Sequence, residues 1–188
     1  MNCTLEYINN WLRENLNKER YEHSCGTAEC AKMLAEKFCP EKVEKAYIAG
    51  LVHDCAKCLP KEETLEILKK ISLEDGEFDS PKTHHAPAGA VVARKEFKID
   101  DNEILSAIRW HTIGKIGMSD FEKIIFIADK IEERTRPAEI REPIQLALKE
   151  DDGLNKALLV CYKGTIKSLV NRELRICTQT IDIYNSLL

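Results

Sequence analysis

The feature that most constrains this chain is the spacing of its apolar residues. They recur every three to four positions over nearly the whole length, and no run alternates apolar with polar residues. A period near 3.6 turns one stripe of each segment toward a core, so the expected fold class is all-α. Leu5, Ile8, Leu12 and Leu16 mark a first helix, followed by a polar link carrying Arg20, Tyr21 and His23. Ala28, Ala31, Leu34, Ala35 and Phe38 mark a second, which stops before Pro40. Val43, Tyr47 and Leu51 give one face of a third, with Ala46, Gly50, His53, Asp54 and Lys57 on the adjoining face. The small residues at 46 and 50 let another element approach closely. Pro60 opens a short fourth helix carrying Leu65, Leu68 and Ile71, and Pro87 opens a fifth running to about Phe97. Ile104, Ala107, Ile108 and His111 share the face of a sixth, begun by what resembles an Asp100/Glu103 capping box. Gly114 and Gly117 break the chain. Ser119 and Glu122 form a second capping box before a helix that is apolar nearly all round from Ile124 to Ala128. Leu154, Leu158, Cys161, Thr165 and Leu169 line a long later helix, and the last, near 178–188, is expected to pack back on the core.

A chain of 188 residues suits a single domain over 1–188 with a sizeable core. Its net charge of −4 offers no basic footprint, which argues against a dedicated nucleic-acid binder. No stretch approaches the ~20 apolar residues of a membrane span, and the N-terminus lacks the pattern of a signal peptide, so the expected location is cytoplasmic with no membrane partner. Eight cysteines include Cys55 and Cys58 as a CxxC, but no second pair stands at zinc-knuckle spacing, and reduced, structural thiols are expected. The longest polar stretch, from Ser72 to Lys82, reads as a surface loop and a candidate lid.

Within this helical pattern the pair His53-Asp54 stands out, because it reads as lying inside a helix where core-facing positions are normally apolar. Two buried polar groups side by side need partners, at a cost of roughly 2–7 kcal/mol for a group left unpaired. The chain has five histidines, 23, 53, 84, 85 and 111, spread with Asp54 and Asp129 over separate elements. Taken singly, His111 reads as a core histidine, His23 as surface, and Asp129 as a partner for an arginine such as Arg134. Taken together, the ordered set His, His-Asp, His, His, Asp reads as a metal site. Mixed imidazole and carboxylate donors suit iron, manganese, cobalt, nickel or zinc. Six ligands fit one octahedral ion with open positions, or two ions bridged by Asp54.

The stretches Arg20-Tyr21-Glu22-His23-Ser24, Ala49-Gly50-Leu51-Val52-His53-Asp54-Cys55-Ala56-Lys57, His85-Ala86-Pro87-Ala88-Gly89-Ala90, Ala107-Ile108-Arg109-Trp110-His111-Thr112-Ile113-Gly114 and the run from Gly117 to Glu132 resemble the HD-domain metal-dependent phosphohydrolases. They are closest to the YqeK-like branch of bacterial symmetrical diadenosine tetraphosphate hydrolases. The resemblance implies an all-helical HD-domain bundle with a metal, often iron, held by His23, His53, Asp54 and Asp129. It implies that His85 and His111 hold a second ion or contact substrate phosphates. Two departures stand out. The usual His-Gly-Pro is His-Ala-Pro, preceded by an extra His84, so the role passes to His85 by its spacing from Pro87. The usual proline at 133 is Glu133, while Arg134 keeps the spacing of a phosphate contact to Pro137.

The implied activity is hydrolysis of a dinucleoside polyphosphate at a central phosphoanhydride, releasing two ADP from the diadenosine substrate. Asp54, Lys57, His85 and His111 are the expected catalytic residues. Arg20, His23, Asp54, Lys57, His85, His111, Thr112, Asp129 and Arg134 are the expected substrate contacts. A small nucleotide is the expected partner, with no nucleic acid and no membrane, and spare apolar surface leaves room for a homodimer. The rival readings are another nucleotide phosphohydrolase of the wider HD group, or a nucleotide-diphosphate-binding module with negligible turnover. A cyclic-dinucleotide phosphodiesterase lacks support, because the Gly-Tyr-Pro of that branch is absent, as is a Gly-rich phosphate loop.

Overall fold

The computed structural model describes residues 4–74, 77 and 80–188. Among the described residues the chain is all-α, with ten α-helices and one 3-10 turn. The helices are α1 (Leu5–Asn15), α2 (Lys18–Phe38), α3 (Val43–Val52), α4 (Lys61–Leu68), α5 (His85–Phe97), α6 (Asn102–Trp110), α7 (Asp120–Ile131), α8 (Ala138–Ala147), α9 (Gly153–Asn171) and α10 (Thr178–Ser186). α7 runs through the middle and packs against α2, α3, α6, α8 and α9. Ile124, Ile125, Ile127 and Ala128 are completely buried, as the apolar run requires. Each such isoleucine is worth roughly 1.5–3 kcal/mol over its exposed state. The Ser119/Glu122 capping box that starts α7 is formed in full, with Glu122 N donating to Ser119 Oγ and Ser119 N to Glu122 Oε2. α10 returns to the core through buried Ile183, and Gln179 Nε2 donates to Gly114 O.

Several boundaries differ from the sequence reading, each for a local reason. The expected polar link at 20–23 is helical. Asn17 caps α2 by accepting from Arg20 N, so His23 lies in the helix and is buried. The buried side of α2 includes Ser24, Gly26 and Thr27, which hides the apolar period there. The third helix stops at Val52, so His53 and Asp54 lie in the turns that follow it. Cys55 N and Lys57 N bond three residues back, to Val52 O and Asp54 O. His53 Nδ1 donates to Gly50 O at 2.7 Å, the carbonyl a continuing helix would offer four residues on. α4 ends at Leu68, leaving Ile71 beyond it, and α5 begins two residues before Pro87. The cap of α6 is Asp101, which accepts from Glu103 N and Ile104 N, while the Glu103 carboxylate goes to Lys42 and Lys45. The expected Asp100/Glu103 box is therefore not formed.

Close approach of α2 and α3 depends on Gly50. A Cβ there would lie 2.9 Å from both Ala28 Cα and Thr27 O. Gly114 and Gly117 take φ of 79° and 71° and turn the chain between α6 and α7. Of the expected lid, residues 75, 76, 78 and 79 lie outside the described residues. Glu77 is buried under Arg109, whose guanidinium meets both carboxylate oxygens at 2.6 Å.

Candidate active site

Five elements converge on one buried cluster. α2 brings His23, the turn after α3 brings His53 and Asp54, α5 opens with His85, His111 caps the C-terminal end of α6, and α7 carries Asp129. All six side chains are buried. Two overlapping triads result, His23–His53–Asp54 and Asp54–His85–His111. The ligating atoms of each lie within 4.8 Å of one another, and Asp54 belongs to both. His85, rather than His84, is the histidine in the cluster. His84 precedes α5 and lines a cavity of about 280 Å3 beside Lys57 and Lys61.

Backbone and carboxylate acceptors fix the imidazole tautomers. His53 Nδ1 donates to Gly50 O, His111 Nδ1 to Ile108 O at 2.7 Å, and His23 Nδ1 to Glu132 Oε1 at 3.0 Å. With the proton on Nδ1, each Nε2 presents a lone pair to the interior. His23 and His53 then face each other Nε2 to Nε2 at 3.3 Å, and His85 and His111 do so at 3.1 Å. His23 Nε2 also lies 2.8 Å from Asp129 Oδ1. Asp54 Oδ1 is buried with no aligned hydrogen-bond donor, although His85 Nε2 and His111 Nε2 lie 3.1 and 3.4 Å away. Lone pairs and carboxylates held this close call for positive charge between them, and the donor types and their outer partners are those of a divalent-metal site.

The protonation states agree with that fit. Burial drives the His53 imidazole down to about 3 and the His85 imidazole down to about 4, so both are neutral at pH 7, the form a metal would need. Burial also pulls His23 down, but hydrogen bonds to Asp129 and Glu132 outweigh it and raise its value. A proton there takes the place a cation would fill. Burial opposes ionisation of Asp54, yet protons taken up by the imidazoles of His53, His111 and His85 hold its carboxyl well below the carboxylate range, the part a cation between them would play. Burial likewise opposes Asp129, and Lys130, His23 and Arg136 hold it low.

Cations ring the cluster. Arg20 Nη1 lies 3.6 Å from Asp54 Oδ2, and Lys57 Nζ lies 3.0 and 3.1 Å from the two ring nitrogens of His85. Burial lowers the Lys57 ammonium from its ordinary value. Thr112 Oγ1 sits 3.1 Å from His85 Nε2 and 3.0 Å from His111 Nε2. Arg134 is not among them. Its guanidinium is held by Glu22 and Glu29 at 2.7 and 2.6 Å. Arg136 instead reaches Asp129 Oδ1 at 2.6 Å, beside Lys130, which pairs with Asp129 Oδ2.

Residues 20–134 match the HD domain, well over half of the chain. The chain belongs to the HD-domain family. Among HD relatives, the symmetrical bis(5'-nucleosyl)-tetraphosphatase of Bacillus subtilis strain 168 is 36% identical, covering 94% of this chain and 93% of its own length. The protein of that same name from Halalkalibacterium halodurans is also 36% identical, with the same coverage. A crystal structure of a predicted HD superfamily hydrolase involved in NAD metabolism, from Clostridium acetobutylicum, superposes with a TM-score of 0.89. It is 40% identical and covers 98% of this chain and 96% of its own. Among the described residues no helix is long and apolar enough to cross a membrane.

The sequence reading assigned no part to Glu132, Lys130 or Arg136 of this HD site. Glu132 is fully buried and receives, besides His23, the backbone N–H groups of Arg134 and Thr135. A signal for it existed. A carboxylate at the C-terminal end of an apolar helix opposes the helix dipole, so it needs a strong partner elsewhere.

Proposed function

We propose that this chain hydrolyses dinucleoside tetraphosphates symmetrically, releasing two ADP from diadenosine tetraphosphate. The observation that carries the reading is the pair of buried His/Asp triads sharing Asp54, in a chain whose relatives of 36% identity are symmetrical tetraphosphatases. In this reading His23, His53, Asp54 and Asp129 hold a transition metal, and His85 and His111 hold a second ion or the substrate phosphates. The metal is iron, with manganese, cobalt, nickel and zinc as the other ions this donor set accepts. When bound, it supplies the positive charge and the acidified water that phosphoanhydride hydrolysis at neutral pH needs.

The chain's own residues do the rest. Asp54 stays ionised between the triads and orients both. Glu132, Gly50 O and Ile108 O keep the Nδ1 protons of His23, His53 and His111 in place, so their Nε2 atoms stay available. Lys57, Arg20, Lys130 and Arg136 supply positive charge around the phosphates, and Thr112 offers a hydroxyl between His85 and His111. The half-buried Lys57 ammonium, 3.0 and 3.1 Å from the ring nitrogens of His85, is the group best placed to face charge developing there. The whole of 1–188 acts as one domain, in the cytoplasm, on a small nucleotide.

The test is ADP release from diadenosine tetraphosphate by anaerobically purified protein, with metal content read on the same sample. Two ADP per substrate with bound iron is the expected result. Asp54→Ala should lose both metal and turnover, and normal activity in that variant would overturn the mechanism.

A further inference from the structure

We propose that the groove between α8 and α9 holds one nucleoside end of the substrate, with Lys130 joining that groove to the metal-ligand cluster. The inference rests on the reading of the chain as a dinucleoside polyphosphatase.

Ile140, Pro143 and Ile144 of α8 and Val160, Gly164 and Leu169 of α9 line a cavity of about 610 Å3. That volume and the apolar lining suit a base and its ribose. Lys163, Lys167 and Arg172 rim it, and among the described residues no carboxylate pairs with any of the three. Glu139 is the one carboxylate in the lining. An apolar pocket with surplus positive charge at its edge is complementary to a nucleotide, which is flat and apolar at one end and anionic at the other.

Lys130 gives the groove its connection. Its side chain lines the cavity, passes over the Phe126 ring at 5.1 Å, and ends on Asp129 Oδ2. One residue therefore borders both the groove and the cluster, which places a cation between a nucleoside seated in the groove and the Asp129 carboxylate.

Gly164 is the second observation. It lies inside α9, where glycine costs about 0.5–1 kcal/mol relative to alanine. Packing does not demand it, because a Cβ at 164 would meet nothing within 4 Å. Gly164 borders the groove and is exposed, so a side chain added there finds open space at the groove's edge and leaves the packing of α9 alone.

The experiment compares iron-loaded wild type, Gly164→Leu and Gly164→Ala. It reads KM and kcat for diadenosine tetraphosphate and the dissociation constants of ADP and inorganic pyrophosphate. Gly164→Leu should raise KM and the ADP dissociation constant about tenfold or more with kcat within about twofold, and leave pyrophosphate unchanged. Gly164→Ala, which adds a single carbon, should shift both constants in the same direction but by less. Unchanged ADP binding in Gly164→Leu overturns the proposal, as does equal weakening of ADP and pyrophosphate, which would mean a disturbed centre. A shift of Gly164→Leu in oligomeric state with ADP binding intact also overturns it, making the groove an interface between copies. If wild type binds ADP in a Gly164-sensitive way but releases none from diadenosine tetraphosphate, the groove assignment stands and the substrate reading falls.

Discussion

Gly50→Ala tests how tightly the His/Asp cluster depends on helix packing. The new Cβ would lie 2.9 Å from Ala28 Cα, 2.9 Å from Thr27 O and 3.1 Å from Ala28 N. All three are backbone atoms of α2, so no rotamer change relieves the contact. Carbon contacts prefer about 3.5–4.0 Å, so α2 and α3 must separate by roughly half an ångström or more. The substitution gains up to about 1 kcal/mol of helix propensity and costs about 1–3 kcal/mol in overpacking. Set against the full gain, the expected net loss is up to about 2 kcal/mol, a fall in Tm of up to roughly 8 °C for a chain of this size. The same shift reaches the cluster, because His23 rides on α2 and His53 Nδ1 is anchored on Gly50 O. Metal affinity should fall about tenfold or more, as for loss of an outer partner. Thermal unfolding of the metal-free protein and competitive metal titration read the two effects. Gly164→Ala is the control, since its Cβ meets nothing and should gain about 0.5–1 kcal/mol. If Gly50→Ala gains stability as the control does and keeps its metal affinity, the tight crossing is not what positions the cluster.

Glu132→Gln keeps the shape but turns an amide donor toward the N–H groups of Arg134 and Thr135, or toward His23 Nδ1. Metal affinity should drop about 10–100-fold, read by chelator competition; an unchanged affinity would show that the carboxylate does not orient His23. Glu122 supplies a pH dependence away from the cluster. Burial pushes its carboxyl up, but Lys115, Ser106 and Ser119 N–H hold it below the ordinary glutamate range. A depressed folded-state value means the stabilisation is complete above that range and is lost as pH falls through the folded value. Glu122→Gln should therefore lower Tm at pH 7, and the gap to wild type should close on acidification. A gap constant with pH would refute the charge argument.

The helical class, the core run of α7, its capping box and the set of histidines with Asp54 and Asp129 were legible in the sequence. Each is written in local spacing, or in a polar residue set where the pattern demands an apolar one. His23 was not recognisable as helical, because α2 buries Ser24, Gly26 and Thr27 beside it and lacks a clear stripe there. The end of α3 at Val52 was hidden as well, since it turns on His53 taking the Gly50 carbonyl. The choice of Arg136 over Arg134 depends on the path of the chain after α7, where Glu22 and Glu29 of α2 claim Arg134. The burial of Glu132 against His23 joins residues 109 positions apart. Legible without the fold, then, are the helical class and the polar residue types set against the apolar pattern, because periodicity and caps act within a few residues. Tertiary structure alone decided which nitrogen faces the interior, which arginine reaches Asp129 and which carboxylate stands behind His23. Those depend on through-space contacts between elements distant in the chain, which local patterns do not encode.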